Sequence, residues 1–205
     1  MKQNGLLKSD QHESQESKAN RLETPEDIFY KVIEIIKPLG IEPPELDVFA
    51  SSENSKCVHH ISKESNAFEK DFTISESNRG LTTIRVPISI WANAPHDVYK
   101  LALPRIHDQY IKHDFNAIIL IPTNNMRTNY WHDIVEPNRI DVNADGYCFY
   151  FPLKGTIYFE LDGNPMLDDK GRKVHAQNGY NVLLFVKKTK LKEFKANLSK
   201  VGICQ

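Results

Sequence analysis

Residues 117–121 (Ala-Ile-Ile-Leu-Ile) are the feature of the sequence that most restricts its fold. An uninterrupted apolar run of this length predicts a β-strand that is buried on both faces. Such a strand is typical of a parallel sheet that is covered by helices, so the run favours the α/β class.

A helix is predicted near the start of the folded part of the chain. Thr24 suits its N-cap, Pro25 suits its first helical position, and the two acidic residues that follow suit the positive end of the helix dipole. Pro38 and Gly40 are expected to end this helix. Its apolar positions recur at helical spacing and are Ile28, Val32, Ile35, Ile36 and Leu39.

The remaining patterns alternate between helices and strands. Helices are expected at 97–113, where Pro104 forces a kink or a break, at 126–135 and at 190–200. Strands are expected at 46–50, 83–86, 88–91, 117–121, 139–142, 147–151, 156–160 and 180–186. The segment between the last two strands is rich in turn residues, which predicts that they pair antiparallel. Together these patterns predict a three-layer α/β domain over residues 22–205.

The composition fits one folded domain. The chain has 205 residues, of which 40% are hydrophobic, and this is enough for one core and too little for two. The net charge of −1 argues against a protein that only coats nucleic acid, so any such binding needs a local basic patch. Residues 1–21 are polar with little apolar content, which predicts a disordered tail.

Cysteine spacing and hydropathy restrict the compartment. Cys57, Cys148 and Cys204 are widely spaced and form no Cys-x-x-Cys pair, which argues against a zinc site or a disulfide framework and favours a reducing compartment. The adjacent His59 and His60 would point to opposite faces of a strand, so no metal site is expected. No apolar run approaches the roughly 18 residues of a membrane span, and the N-terminus lacks a secretory signal. We therefore expect a soluble, intracellular, cytoplasmic protein that binds no membrane.

Residues 90–96 (Ile-Trp-Ala-Asn-Ala-Pro-His) place an asparagine, a proline turn and a ring side chain after a predicted strand. The segment resembles the Asn-Pro-Pro-Tyr signature of amino-methyltransferases. In that chemistry the amide oxygen of Asn93 and the backbone carbonyl of Ala94 would each accept one hydrogen of an exocyclic amine. After Pro95, the ring of His96 would stack on a flipped-out base. The alternative is a strand-end turn in which Asn93 is a local cap.

Over residues 24–187, further segments resemble the phage-type DNA N6-adenine methyltransferase (Dam) family, in the same order along the chain. Residues 46–51 and 54–57 are similar to its Leu-Asp-Val-Cys-Ala-Ser strand and the Asn-Ala-Lys-Cys that follows. The Thr-Pro start of the first helix also has a counterpart in the family. Residues 119–123 resemble the family's apolar strand with a proline turn, and residues 130–132 resemble its Trp-Phe-His helix. Residues 154–159 resemble its Gly-Arg-Ile-x-Phe strand, and residues 180–186 its last strand.

The resemblance implies a Rossmann-like class I S-adenosylmethionine-dependent methyltransferase fold, with a mostly parallel sheet and an antiparallel C-terminal hairpin. The implied function is methyl transfer to DNA, at adenine N6, by alignment and without a covalent enzyme intermediate. Ala94 and His96 depart from the family motif, which has proline and tyrosine there, and the turn is less fixed by about 1 kcal/mol. A second interpretation is therefore a catalytically inactive protein of this fold that binds nucleic acid or a partner chain. A third changes only the substrate, to cytosine N4, RNA or a protein amide.

The resemblance also assigns residues to the cofactor. Asp47 would lie near the amino group of the methionine moiety, although a hydrogen bond to a loop explains an acid there equally well. Phe49 and Ala50 would form a wall of the cofactor site, and Phe49 fits the core equally well. An acid after the second strand, Glu64 or Asp71, would bind the ribose hydroxyls.

Two further sets of residues are candidates for binding. Thr24 and Pro25 would contact the cofactor, although helix capping also accounts for both. DNA would contact Arg127 through a phosphate and Trp131 through a base, with Asn129 beside them. The alternative for Trp131 is that it packs its helix onto the sheet.

Overall fold

A computed structural model describes residues 23–62, 66–140, 145–161, 163–168, 170–175 and 179–201, and the tail predicted at 1–21 lies outside them. The strands are β1 (Leu46–Asp47), β2 (His59–His60), β3 (Ile74–Asn78), β4 (Leu81–Arg85), β5 (Ser89–Ala92), β6 (Asn116–Pro122), β7 (Cys148–Leu153), β8 (Glu160–Leu161), β9 (Asn164–Pro165) and β10 (Tyr180–Phe185). The α-helices are α1 (Glu26–Ile36), α2 (Tyr99–His113), α3 (Asn129–Ile134) and α4 (Leu191–Val201).

Six of these strands form the central sheet, in the order β2-β1-β5-β6-β10-β7. The first four are parallel to one another. β10 is antiparallel to both of its neighbours, β6 and β7, so β7 runs in the same direction as the first four strands. The predicted α/β class with a mostly parallel sheet is therefore confirmed.

Alternate side chains of β6 enter two different layers of the core. Ala117, Ile119 and Ile121 belong to the apolar cluster that α2 and α3 cover. Ile118 and Leu120 belong to the cluster that α1 and α4 cover on the opposite face. All seven residues of β6 are buried, which confirms the strand predicted to have two buried faces.

The first helix is present, but its start differs from the prediction. Pro25 occupies the position before the first helical residue, where its carbonyl accepts the N–H of Phe29 at 3.1 Å, and no side chain caps the helix. The prediction of Thr24 as N-cap is therefore wrong, because the Thr24 hydroxyl bonds elsewhere. After α1 the chain continues as a 3-10 turn and ends at Gly40, whose φ of +81° favours glycine.

The predicted antiparallel pairing of the last strand with residues 156–160 is wrong. Residues 156–159 form no strand, and β10 pairs instead with β6 and β7. Ile157 and Phe159 are buried among the apolar residues under α1, so their hydrophobic pattern reflects core packing and not a strand.

Four other predicted segments differ from the structure in extent or in detail. The strand expected at 46–50 ends at Asp47, and α2 runs through Pro104 without a break. The segments 83–86 and 88–91 belong to different sheets, because β4 pairs only with β3 in a separate hairpin. The helix expected at 126–135 is divided between a 3-10 turn (Thr123–Arg127) and α3.

Candidate cofactor pocket and active site

The candidate site lies where two neighbouring parallel strands end. From β1 the chain moves to β2 on one side, and later returns through β5 to β6 on the other side, so the strand order reverses between β1 and β5. Open α/β sheets bind ligands at the carboxyl ends of their strands at such a switch point. Asp47 is the last residue of β1, and Asn93 directly follows β5.

A pocket of about 260 Å³, open to solvent, lies at this switch point. Most of this volume is open to solvent and the enclosed part is only water-sized, so a nucleoside-sized ligand would lie largely in the open part. Five predicted site residues line it together, namely Thr24, Asp47, Phe49, Ala50 and Asn93. The other lining residues are Glu23, Asn54, Lys56 and Trp91.

Asp47 supplies a buried carboxyl group to the pocket. It is 4% exposed, and its two oxygens accept the backbone N–H groups of Phe49 at 3.4 Å and Lys56 at 3.1 Å. Burial raises the pKa of Asp47 to about 6, although these donors and the charge of Lys56 favour the carboxylate. The loop hydrogen bond considered as an alternative is thus present, and the same carboxyl also lines the pocket.

Asn93 is held at both ends of its amide group. Its Nδ2 donates to Thr24 Oγ1 at 2.9 Å, and its Oδ1 accepts from the hydroxyl of Tyr99 at 3.2 Å. The same hydroxyl also donates to the carbonyl of Leu120, at 2.7 Å. Asn93 is half-buried, so its side chain is oriented by the protein while still reaching the pocket.

The rest of the Asn-Ala-Pro-His segment forms the turn into α2. Ala94 is buried in the apolar cluster beneath α2, and the carbonyl of Pro95 accepts the N–H of Val98 at 3.1 Å. His96 begins a 3-10 turn, and its side chain lies outside the part of the chain that is described. The prediction that this ring stacks on a base stays a prediction.

The sequence reasoning missed four lining residues. Asn54 and Lys56 belong to the segment that carries the family resemblance, and the side chain of Asn54 accepts the N–H of Ser51 at 2.7 Å to hold that turn. The pattern around Trp91 predicts a strand and does not indicate that its side chain lines a pocket. Glu23 comes to the site by pairing with Glu160, a contact between distant segments that no local pattern indicates.

The two acids proposed for the ribose hydroxyls are not brought to the pocket by the described structure. Asp71 accepts hydrogen bonds from Lys112 at 2.6 Å and from Gln109 at 3.3 Å, both on α2, and it does not line the pocket. The side-chain bond from Lys112 is the main reason why the pKa of Asp71 is lowered. Glu64 lies outside the described residues.

The predicted nucleic-acid residues fall into two groups. Arg127 and Asn129 are exposed after the carboxyl end of β6. Trp131, in contrast, is fully buried, donates from Nε1 to Glu136 Oε1 at 2.7 Å, and packs edge-on against Tyr150. A buried ring cannot stack on a base, so the structure supports the alternative that Trp131 packs its helix onto the sheet.

The described part of the chain holds neither a metal cluster nor a membrane-spanning helix. It contains no group of three or more His, Cys, Asp or Glu side chains that could hold a metal ion. Among the same residues, no helix has the length and apolarity needed to cross a membrane.

No protein-family model matches the chain, and no curated protein matches it significantly. Function is therefore inferred from the geometry of the site.

Proposed function

We propose that this protein binds S-adenosylmethionine at the switch-point pocket and transfers its methyl group to an exocyclic amine of DNA, adenine N6. The observation that carries the proposal is the convergence of Asp47 and Asn93 on one pocket at the carboxyl ends of β1 and β5. These are the residues that the family resemblance assigns to the cofactor and to the amine.

The topology of the sheet supports the proposal. β10 comes last in the chain, yet it inserts between β6 and β7 and runs antiparallel to both. This reversed last strand agrees with the antiparallel C-terminal pairing that the family resemblance implies. Fold alone does not specify function, so the residues of the pocket must fit the cofactor as well.

The residues present fit the cofactor. S-adenosylmethionine supplies an electrophilic methyl group on a sulfonium, and it carries an ammonium and a carboxylate at its amino-acid end. Asp47 is a buried carboxyl group that lacks a cationic side chain within ion-pair distance among the described residues, and it would bind the ammonium. Lys56 would bind the carboxylate, and the ring of Phe49 would cover the apolar part.

Asn93 and Ala94 would bind the substrate. The Asn93 Oδ1 and the Ala94 carbonyl would each accept one hydrogen of the amine and turn its lone pair towards the methyl group. Alignment of two reactants in this way lowers the barrier without a covalent intermediate. A base within a duplex must leave the stack to reach such a pocket.

The first test is titration calorimetry with S-adenosylmethionine on the wild type, Asp47→Ala and Asp71→Ala. We expect the wild type to bind, Asp47→Ala to lose at least about tenfold in affinity because a buried charge pair is broken, and Asp71→Ala to bind normally. Circular dichroism would establish that each variant is folded. Absence of binding by a folded wild type would contradict the proposal.

The second test is product analysis. Wild-type protein is incubated with S-adenosylmethionine and unmethylated plasmid DNA. The DNA is then digested to nucleosides, which are identified by mass spectrometry. N6-methyladenine is the expected product, whereas N4-methylcytosine, or methylation only of added RNA or protein, would change the substrate and keep the reaction class. An Asn93→Ala variant should bind the cofactor and yield no product.

A second candidate function is a non-catalytic protein of the same fold that binds nucleic acid or a partner chain. Two observations favour it: Ala94 and His96 replace the proline and tyrosine of the family motif, and both ends of the Asn93 amide already have protein partners. The double variant Ala94→Pro with His96→Tyr restores the family motif. Higher activity in this variant supports the enzyme, and inactivity of both forms supports the second candidate.

A further inference from the structure

We infer that Thr24 and Tyr99 are positioning residues that hold the Asn93 amide in place at the pocket, where its oxygen would meet the amine. This inference rests on the proposed function and adds two residues to its machinery. It follows from the hydrogen bonds around Asn93, and neither residue belongs to the Asn-Ala-Pro-His segment.

An asparagine side chain rotates about two bonds, so its amide group stays in one place only if partners hold it. The position matters here, because a misplaced acceptor would turn the lone pair of the amine away from the methyl group. An Asn93 without fixed partners would therefore spend part of its time in unproductive positions.

Thr24 accepts the hydrogen bond from Nδ2, and the fold fixes Thr24 in place. The hydroxyl is 2.9 Å from Nδ2, and the residue is 4% exposed. The preceding residue, Glu23, exchanges two backbone hydrogen bonds with Glu160, and its carboxylate accepts the N–H of Gly163. The segment is thus held by residues far away in the sequence, which keeps the Thr24 hydroxyl beside the Asn93 amide.

Tyr99 contacts the oxygen end of the Asn93 amide. It is 3% exposed, and its single hydroxyl proton is shared between Leu120 O at 2.7 Å and Asn93 Oδ1 at 3.2 Å, so the bond to Asn93 is the weaker of the two. Burial raises the pKa of Tyr99 well above its usual value, so the hydroxyl keeps the proton that it donates. An amide oxygen has two lone pairs, so Oδ1 can accept from Tyr99 and from a substrate amine at the same time.

The test compares Thr24→Val, Thr24→Ser, Tyr99→Phe and Tyr110→Phe. Valine has the shape of threonine without the hydroxyl, whereas serine keeps the hydroxyl. Tyr110 is a matched control, because it is a buried tyrosine on the same helix that donates to a backbone carbonyl, Val186 O at 2.9 Å, away from the pocket. Each variant is titrated with S-adenosylmethionine and assayed on unmethylated plasmid DNA.

We expect Thr24→Val to lower kcat about tenfold, the value of one hydrogen bond, and to leave cofactor affinity within about twofold. Thr24→Ser should restore kcat, Tyr99→Phe should lower it less than Thr24→Val does, and Tyr110→Phe should keep the wild-type value. In a parallel NMR experiment, the side-chain amide signals of Asn93, assigned by their loss in Asn93→Ala, should show slowed hydrogen exchange in the wild type, Thr24→Ser and Tyr110→Phe, and faster exchange in Thr24→Val.

The outcomes separate the two claims. Normal kcat and unchanged Asn93 signals in Thr24→Val, in a background where the wild type is active, overturn the positioning role and leave the proposed function intact. A parallel loss of kcat in Tyr110→Phe also overturns it, because the effect would then come from general destabilisation. A wild type that transfers no methyl group removes the proposed function, and the positioning role with it.

Discussion

The two halves of the central sheet are built differently. On one side, β6, β10 and β7 have six or seven residues each, and β6 and β10 are buried almost throughout. On the other side, β1 and β2 have two residues each and β5 has four, and polar side chains lie at the carboxyl ends of β1 (Asp47) and β5 (Asn93). The pocket belongs to the short-stranded half.

The difference shows where the molecule gains stability and where it gives stability up. The long strands β6 and β10 bury apolar surface on both faces and pair with a neighbour on each side, whereas the short strands end early and leave Asp47 buried at the carboxyl end of β1. With a folded pKa of about 6 against an ordinary 3.8, ionised Asp47 costs about 3 kcal/mol above pH 6. A cationic ligand would relieve that cost, which is why a site is expected in this half.

The largest effect on stability should come from the apolar half. Leu183 of β10 is fully buried, and Leu183→Ala should lower the free energy of unfolding by about 2–5 kcal/mol, since it removes apolar burial and leaves a cavity. Asn93→Ala, in the other half, should cost about 1 kcal/mol. Urea denaturation measures both, and equal losses would contradict the division into a stable half and a functional half.

The next largest effect should come from Trp131. Trp131→Phe removes the bond to Glu136 and part of a buried ring, and it should destabilise the protein by about 2 kcal/mol. Its affinity for a fluorescent DNA duplex, measured by anisotropy, should be unchanged because the ring does not reach solvent. Weaker DNA binding with unchanged stability would restore the role in base stacking that the structure argues against.

The sequence predicted the apolar half of the sheet better than the site. The strand at 117–121 was predictable because its signal is local: a run of apolar residues needs no partner to be recognised. The partner of β10 was not, because pairing between distant strands depends on which surfaces meet, and residues 156–159 have a similar apolar pattern without being a strand.

The site was predictable where its residues sit at strand ends and hidden where tertiary contacts decide. Asp47 and Asn93 could be chosen because one lies within a predicted strand and the other directly follows one, each in a segment with a family resemblance. Thr24 was assigned to a helix cap, since a threonine before a proline and two acids fits that role locally, but its partner is Asn93, 69 residues away. Glu23 carried no signal at all.

The third prediction concerns pH and separates Asp47 from the rest of the pocket. The protonated carboxyl cannot pair with an ammonium, so affinity for S-adenosylmethionine should fall about tenfold for each pH unit below 6 and level off above it. In the ligand-free protein the sign is opposite. The raised pKa means that the contribution of Asp47 to stability is fully present below about pH 3.8 and is lost as the pH rises through about 6.

Calorimetric titrations between pH 5 and 7.5 test this prediction, with Asp47→Ala as the control. The mutant should bind weakly at every pH in that range and show no slope. A wild-type affinity that is independent of pH, or a slope that persists in the mutant, would show that another group binds the ammonium.

The smallest effect, on the salt dependence of DNA binding, is expected from two exposed basic residues that lie at opposite ends of the sheet strands. Arg127 lies just beyond the carboxyl end of β6, on the edge that holds the pocket, whereas Lys188 follows β10 at the opposite edge, where its N–H bonds Asp114. If DNA approaches the pocket, Arg127→Ala should reduce the slope of log affinity against log salt by about 1, and Lys188→Ala should leave it unchanged. Anisotropy titrations at several salt concentrations measure both slopes. A larger change in Lys188→Ala would place DNA on the edge away from Asn93, a position from which methyl transfer is impossible, and it would favour the non-catalytic candidate.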